Sequence, residues 1–246
     1  MLLSIFEILG TIAFAFSGAL VGMQKKLDLF GVIFLGITTA VGGGIFRDIA
    51  LGSTPPRTLV KPDFCILSII VSVVAFYGYP LLSRRYAEAK KKDFHVEEEK
   101  RSRYMSEDQL FRIANKRDQM ILLKKIILVF DAIGLAAFTI SGASLAYSHP
   151  QQNIFLVACM GLITGVGGGM LRDTFVQNTP LIFTKEIYAV AAIGGSIIFY
   201  VCTYLGLEYN ITYSLCFAII FMTRVISIRY NINLPTYNPD KNKIYM

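Results

Sequence analysis

Arginine and aspartate stand side by side at two places in an otherwise apolar chain, and both times they follow three glycines. Thr39–Asp48 reads T-A-V-G-G-G-I-F-R-D, and Thr164–Asp173 reads T-G-V-G-G-G-M-L-R-D. Seven of the ten positions are identical, 125 residues apart. Ionised side chains inside hydrocarbon are expensive and mark pathways or paired charges. Each glycine costs a helix about 1 kcal/mol relative to alanine. Three in a row cover most of a helical turn with no side chain. A kink or hinge beside a pore is therefore expected at Gly42, Gly43, Gly44 and at Gly167, Gly168, Gly169, with close helix packing as the alternative. The segment is not a phosphate loop, because no Lys-Ser/Thr follows and no strand precedes.

Adjacent residues on a helix do not face each other, so each arginine is expected to find a partner elsewhere. Phe6–Leu20 aligns with Phe130–Ser144, with seven of fifteen positions identical, and this sets Glu7 against Asp131. Two related ion pairs are predicted, Glu7–Arg47 and Asp131–Arg172, one toward each membrane face. The alternative is that each arginine snorkels to its own interface. Asp48 and Asp173 would then be free to attract cations or cap local backbone. Arg224 reads as a snorkelling anchor, and Ser17-Gly18-Ala19, Ser141-Gly142-Ala143 and Gly194-Gly195 read as helix-packing residues.

Of 246 residues, 54% are hydrophobic and 17% charged, and the mean hydropathy is +0.54. This is the composition of a polytopic membrane protein. Seven spans fit, about Leu3–Gly22, Leu29–Leu51, Phe64–Leu82, Ile126–Tyr147, Ile154–Val176, Ile187–Gly206 and Ile211–Ile228. The first resembles a secretory leader but lacks a basic start and has a mid-chain twin, so it is expected to be a true span. Spans one to three match spans four to six, and an odd number of spans per repeat turns the second copy upside down. The expected fold is all-α: residues 1–82 form the first three-helix repeat, 83–125 a charged linker, 126–206 the inverted repeat, and 207–246 a seventh helix and tail.

Thirteen of the 24 Lys and Arg lie in the linker. Alternate loops place nineteen basic residues on the linker side and only Arg57 and Lys61 opposite, which predicts an outside N-terminus and a cytoplasmic linker and C-terminus. The net charge of +7 thus follows membrane topology rather than nucleic-acid binding. Ser106–Gln109 has capping-box spacing and opens either an amphipathic helix on the inner leaflet or a solvated helix leading into span four. Lys185-Glu186 reads as a loop pair. Cys65, Cys159, Cys202 and Cys216 lack metal or disulfide spacing and read as buried apolar thiols. His95 and His149 read as polar loop residues. No nucleophile–base pair, paired catalytic carboxylates or metal set is present in the pattern, so no enzyme and no bound cofactor are expected.

Two three-span units, each with G-G-G-x-x-R-D and a following Thr-Pro (Thr54-Pro55, Thr179-Pro180), plus a seventh span, resemble the bacterial glycine-transporter-domain family. That family is similar to the prokaryotic trimeric intracellular cation (TRIC) channels. The resemblance covers about Phe6–Arg229 outside the linker. It implies a homotrimer in the bacterial inner membrane, with a pore in each protomer that passes monovalent cations, chiefly potassium, between two glycine-kinked helices. It also implies pore or gating roles for Arg47, Asp48, Arg172, Asp173, Glu7 and Asp131. The inositol-lipid motif of animal members has no match after span two. A secondary transporter of a small amino acid such as glycine is the alternative, and a non-transporting scaffold that recruits a partner through the linker is a third reading.

Overall fold

The computed structural model describes residues 1–94, 107–184, 187–230 and 232, with side chains except at 82–119 and 184. The expectations for His95, for the charge run beyond Phe94 and for Lys185-Glu186 fall outside the described residues. The helices are α1 (Leu2–Gln24), α2 (Leu29–Ala50), α3 (Arg57–Val60), α4 (Asp63–Phe94), α5 (Glu107–Tyr147), α6 (Ile154–Phe175), α7 (Leu181–Thr184), α8 (Ile187–Tyr204) and α9 (Tyr209–Tyr230). Seven carry a segment long and apolar enough to cross a bilayer, and these coincide with the seven spans read from the sequence to within a few residues. Helical backbone runs further at the linker. α4 extends to Phe94, and helix runs from Glu107 without a break into the fourth span, while the capping residue expected at Ser106 lies outside the described residues.

The same capping chemistry opens both copies of the glycine helix. Asp28 accepts a hydrogen bond from the Gly31 amide at 2.7 Å, and Asn153 accepts one from the Leu156 amide at 2.8 Å. Both copies also end alike. Gly52 and Gln177 hold left-handed backbone at φ 71° and 55°. The Ser53 amide returns to the Asp48 carbonyl and the Asn178 amide to that of Asp173, each at 2.8 Å, closing a Schellman turn. Only the first copy has glycine there. Gln177→Gly is expected to stabilise the protein by roughly 0.5 kcal/mol, the left-handed strain relieved less the extra chain entropy lost. A higher melting temperature in detergent is the readout, and a lower one would contradict it.

The centre of the molecule is the antiparallel crossing of α1 and α5, whose spanning segments are each 67% buried, against 17% for α4. Gly10 faces Ala137 and Phe138, and Gly134 faces Phe14. These contacts map onto each other through an offset of 124, the signature of a two-fold axis between the repeats. Gly18 lets α1 approach the Leu35 carbonyl of α2, and Gly142 lets α5 approach the Met160 carbonyl of α6. Gly36 seats Ser72 of α4, and Gly161 seats Ser196 of α8. The Ser-Gly-Ala glycines are packing residues as read. Gly195 packs against Ile220 of α9, whereas Gly194 meets nothing within 4 Å.

The axis also passes between α2 and α6. A Cβ on Gly43 would strike the Thr164 carbonyl oxygen, and one on Gly168 the Thr39 carbonyl oxygen. Both helices run unbroken through their glycines, so the triplets do not interrupt the helical backbone. The missing side chains are used for close approach of two backbones, and that packing offsets the low helix propensity.

Among the described residues α9 has no counterpart in the first repeat. It lies on α5 and α8 and touches α1, through Phe217 stacked on Phe6 at 4.8 Å and Tyr213 hydrogen-bonded to Ser144 at 3.0 Å. The core beneath it includes Leu135, Ile140, Phe199 and Ile220. Below, the side of the bundle carrying Met1 and the α2–α4 connection is the N-face, and the opposite side is the linker face.

Candidate functional site

Each glycine helix delivers its arginine to the end of the bundle where the helix stops. Arg172 is 1% exposed. Its Nη1 donates to Asp131 Oδ1 at 2.8 Å and to Ser17 Oγ at 2.7 Å. Its Nε donates to Asp173 Oδ1 at 2.8 Å, and its Nη2 to Asp173 Oδ2 at 3.2 Å. The predicted Asp131–Arg172 pair is present in this geometry. At the N-face, Arg47 Nε and Nη2 donate to Asp48 Oδ1 at 2.9 and 2.7 Å, and Nη1 donates to Ser141 Oγ at 3.3 Å. Ser141 Oγ in turn donates to Glu7 Oε1 at 2.6 Å.

Three expectations are corrected here. Glu7 and Arg47 form no direct ion pair among the described residues. Ser141 stands between them and relays the contact. Each arginine does engage the aspartate that follows it, because a long side chain at a helix end folds back around the backbone, where a short one would diverge. Asp48 and Asp173 are accordingly not free for cations. Their second oxygens accept the Arg57 amide at 2.8 Å and the Leu181 amide at 3.2 Å, which caps α3 and α7, the local capping role read as the other possibility. Snorkelling is excluded as well, since both guanidiniums are buried.

The serines were not read as functional. Ser17 and Ser141 occupy equivalent repeat positions, and each serves the arginine of the opposite repeat. Arg47 of repeat one reaches Ser141 of repeat two, and Arg172 of repeat two reaches Ser17 of repeat one. The two charge clusters therefore cross-link the halves.

The clusters differ in what surrounds them. Over Arg47 the N-face opens into a cavity of about 400 Å³, lined among others by Glu7, Arg57, Lys61, Asp63, Ser141 and Ser148. Beneath it a chamber of about 40 Å³ reaches Thr11, Gly44 and Phe138. The first is large enough for a hydrated ion or a small solute, the second for a few waters at most. On the linker face, Tyr188 and Arg224 stand beside the pair. Tyr188, at the repeat position of Phe64, sets its hydroxyl toward Asp131 over Gly169, where a Cβ would lie 3.2 Å from the hydroxyl and 3.5 Å from Asp131 Oδ1. Arg224 of α9 stacks on the Tyr188 ring at 4.6 Å. Its 1% exposure corrects the snorkelling anchor read from sequence: α9 delivers the side chain into the bundle rather than to its edge.

Among the described residues no group of His, Cys, Asp or Glu is arranged to hold a metal. The four cysteines are free thiols, with Cys216 buried and the others half-buried. His149 lies in a turn and accepts from the Gln151 amide at 3.2 Å.

Two antiparallel three-helix units around one axis, with a charged residue pair at the end of each glycine helix, define a multi-pass membrane protein of the inverted-repeat class. The chain belongs to the family described as glycine transporter, whose model matches twice, at residues 4–80 and 128–204, once on each repeat. It is 30% identical over 237 residues to the UPF0126 inner membrane protein YadS of Escherichia coli K12, covering 96% of each chain. Its fold is similar to that of a prokaryotic TRIC channel crystallised in 0.5 M KCl, with a TM-score of 0.75 and 35% identity over 95% of this chain and 99% of that one. A TRIC trimeric intracellular cation channel orthologue from Rhodobacter sphaeroides is also similar, with a TM-score of 0.73 and 26% identity over 94% and 98%.

Proposed function

We propose that the protein is a cation channel of the bacterial inner membrane, passing monovalent cations, chiefly potassium, along a path inside each protomer of a homotrimer. The observation that carries this reading is the N-face vestibule, which Glu7, Arg47, Ser141 and Ser148 line and which a small chamber continues to Thr11 and Gly44. The likeness to TRIC channels supports it. A cation entering from the N-face meets the Glu7 carboxylate and the Ser141 and Ser148 hydroxyls, which replace part of its hydration. Arg47 is neutralised by Asp48, so the local field does not repel the ion outright. Below the crossing, the Arg172–Asp131 pair closes the route, and conduction requires that pair to move aside. The glycine triplets are where α2 and α6 can shift against each other, because Gly43 and Gly168 set backbone against backbone there, while Leu171 packs over Gly42. The N-terminus faces outward in this reading, as the basic loops require.

A second reading has its own observation. Glu7 and Arg47 line one vestibule with opposite charges, as a small zwitterion such as glycine requires of a carrier. Purified protein in liposomes separates the two. Unitary potassium currents without saturable glycine uptake are expected. Saturable uptake without unitary currents would replace the channel by the carrier, and neither would leave a scaffold.

A further inference from the structure

The seventh helix brings a cation into the linker-face cluster that the two-fold repeat neither supplies nor neutralises. Asp131 is fully buried, and only its Oδ1 is engaged by Arg172. Nε and Nη2 of Arg224 have no hydrogen-bond partner among the described residues, and Asp131 Oδ2 has none but the nearby Tyr188 hydroxyl. A guanidinium carries five donors and is rarely buried without a carboxylate or carbonyl to receive them. Arg224 instead presents its charge to an aromatic face, with Asp131 near enough to act on it electrostatically. A carboxylate beside an aromatic ring is a setting that binds cations. Gly169 leaves room beside the Tyr188 hydroxyl and Asp131 Oδ1, where a Cβ would lie 3.2 and 3.5 Å from them. In the first repeat Phe64 replaces Tyr188 and no described helix corresponds to α9. That half is the open vestibule.

We propose that Asp131 and Tyr188 form a monovalent-cation site and that Arg224 occupies it as a tethered blocker, a cation supplied by the chain itself. The site stands on this geometry alone, and its consequence for flux rests on the channel reading. When Arg224 withdraws, a permeant ion takes its place between the Asp131 carboxylate and the Tyr188 ring. α9 thereby controls a path that the six repeat helices build.

The test uses the full-length protein with Arg224→Ala, and with Arg224→Gln as a near-isosteric second variant should alanine not fold. In proteoliposomes, potassium flux through the variant is expected to rise about tenfold as the blocked population is released, and Arg224→Lys to retain the block. Millimolar guanidinium, far below denaturing levels, is expected to restore the block in Arg224→Ala and leave the unmutated protein unaffected. A readout independent of flux is the melting temperature in detergent. Guanidinium should raise it saturably for Arg224→Ala but not for Arg224→Ala/Asp131→Asn. A flux gain indifferent to guanidinium would make Arg224 a wedge rather than a bound cation and overturn the proposal, as would no change in either assay. Guanidinium stabilisation with no potassium flux in any form would keep the site and discard the channel.

Discussion

Gly168→Ala is expected to be among the most damaging single-methyl additions in the chain, and Gly43→Ala its two-fold equivalent. In both, the added Cβ falls on a backbone carbonyl oxygen of the opposing helix, Thr39 for Gly168 and Thr164 for Gly43. A side chain could rotate away, but a carbonyl within a helix cannot move without its helix. The crossing must therefore widen, and the contacts on both sides of it loosen together. Overpacking typically costs 1–3 kcal/mol, and alanine returns about 1 kcal/mol of helix propensity. Because rigid backbone is the obstacle at the centre of the molecule, the cost falls at the top of that range and a net loss of about 2 kcal/mol is expected. Gly44→Ala is the internal control. Its Cβ would meet only the Arg47 Nη2 at 3.7 Å, an ordinary contact, so the propensity gain survives and the variant is expected to be neutral or more stable by up to about 1 kcal/mol. Denaturation in mixed micelles would measure all three. Equal effects at 43, 44 and 168 would remove the crossing as the reason for the triplet.

That sign change within three consecutive glycines shows where sequence reading stops. The triplet and its repetition were plain, and so was the low helix propensity. Propensity describes a helix in isolation, however, and points to a break. What decides the outcome is the second helix across the axis, and only coordinates show that Gly43 and Gly168 face carbonyls while Gly44 faces its own arginine. The spans were legible because hydrocarbon thickness fixes their length. The inverted pairing was legible because an odd repeat unit allows no other arrangement. The contacts of Gly10, Gly18, Gly36 and Gly43 recur at Gly134, Gly142, Gly161 and Gly168 as that pairing demands. Ser17 and Ser141 were hidden because a small residue beside a glycine reads as packing. Their equal positions in the two copies were the available signal. Arg224 had no twin at all, so nothing in the repeat pointed to its burial against Tyr188.

Arg172→Gln should destabilise the protein more than Arg47→Gln does, although the two arginines are equivalent in sequence. Removing Arg172 takes the hydrogen-bonded cation from two buried carboxylates, Asp131 at 0% and Asp173 at 5% exposure, and leaves Asp131 only the unbonded charge of Arg224. Asp173 keeps only the Leu181 amide. Breaking a buried pair by deleting one partner costs about 3–5 kcal/mol because the remaining charge is uncompensated. Removing Arg47 strands Asp48, which keeps the Arg57 amide, while Glu7 keeps the Ser141 hydroxyl and borders the open vestibule. A loss of about 2 kcal/mol is expected there, since one buried carboxylate rather than two loses its cation. The asymmetry can be checked within one cluster. Asp131→Asn in the Arg172→Gln background removes the stranded charge, so the double variant should be more stable than Arg172→Gln alone, with a coupling energy of about 2 kcal/mol. Glu7→Gln in the Arg47→Gln background should recover almost nothing, because Glu7 was never paired directly to Arg47. Equal losses at the two arginines, or equal recovery at Glu7 and Asp131, would mean that the clusters are symmetric in solution and that Ser141 does not separate the N-face charges. Unequal losses would place the stronger closure at the linker face, where α9 also delivers Arg224, and leave the N-face cluster as the weaker of the two barriers along the path.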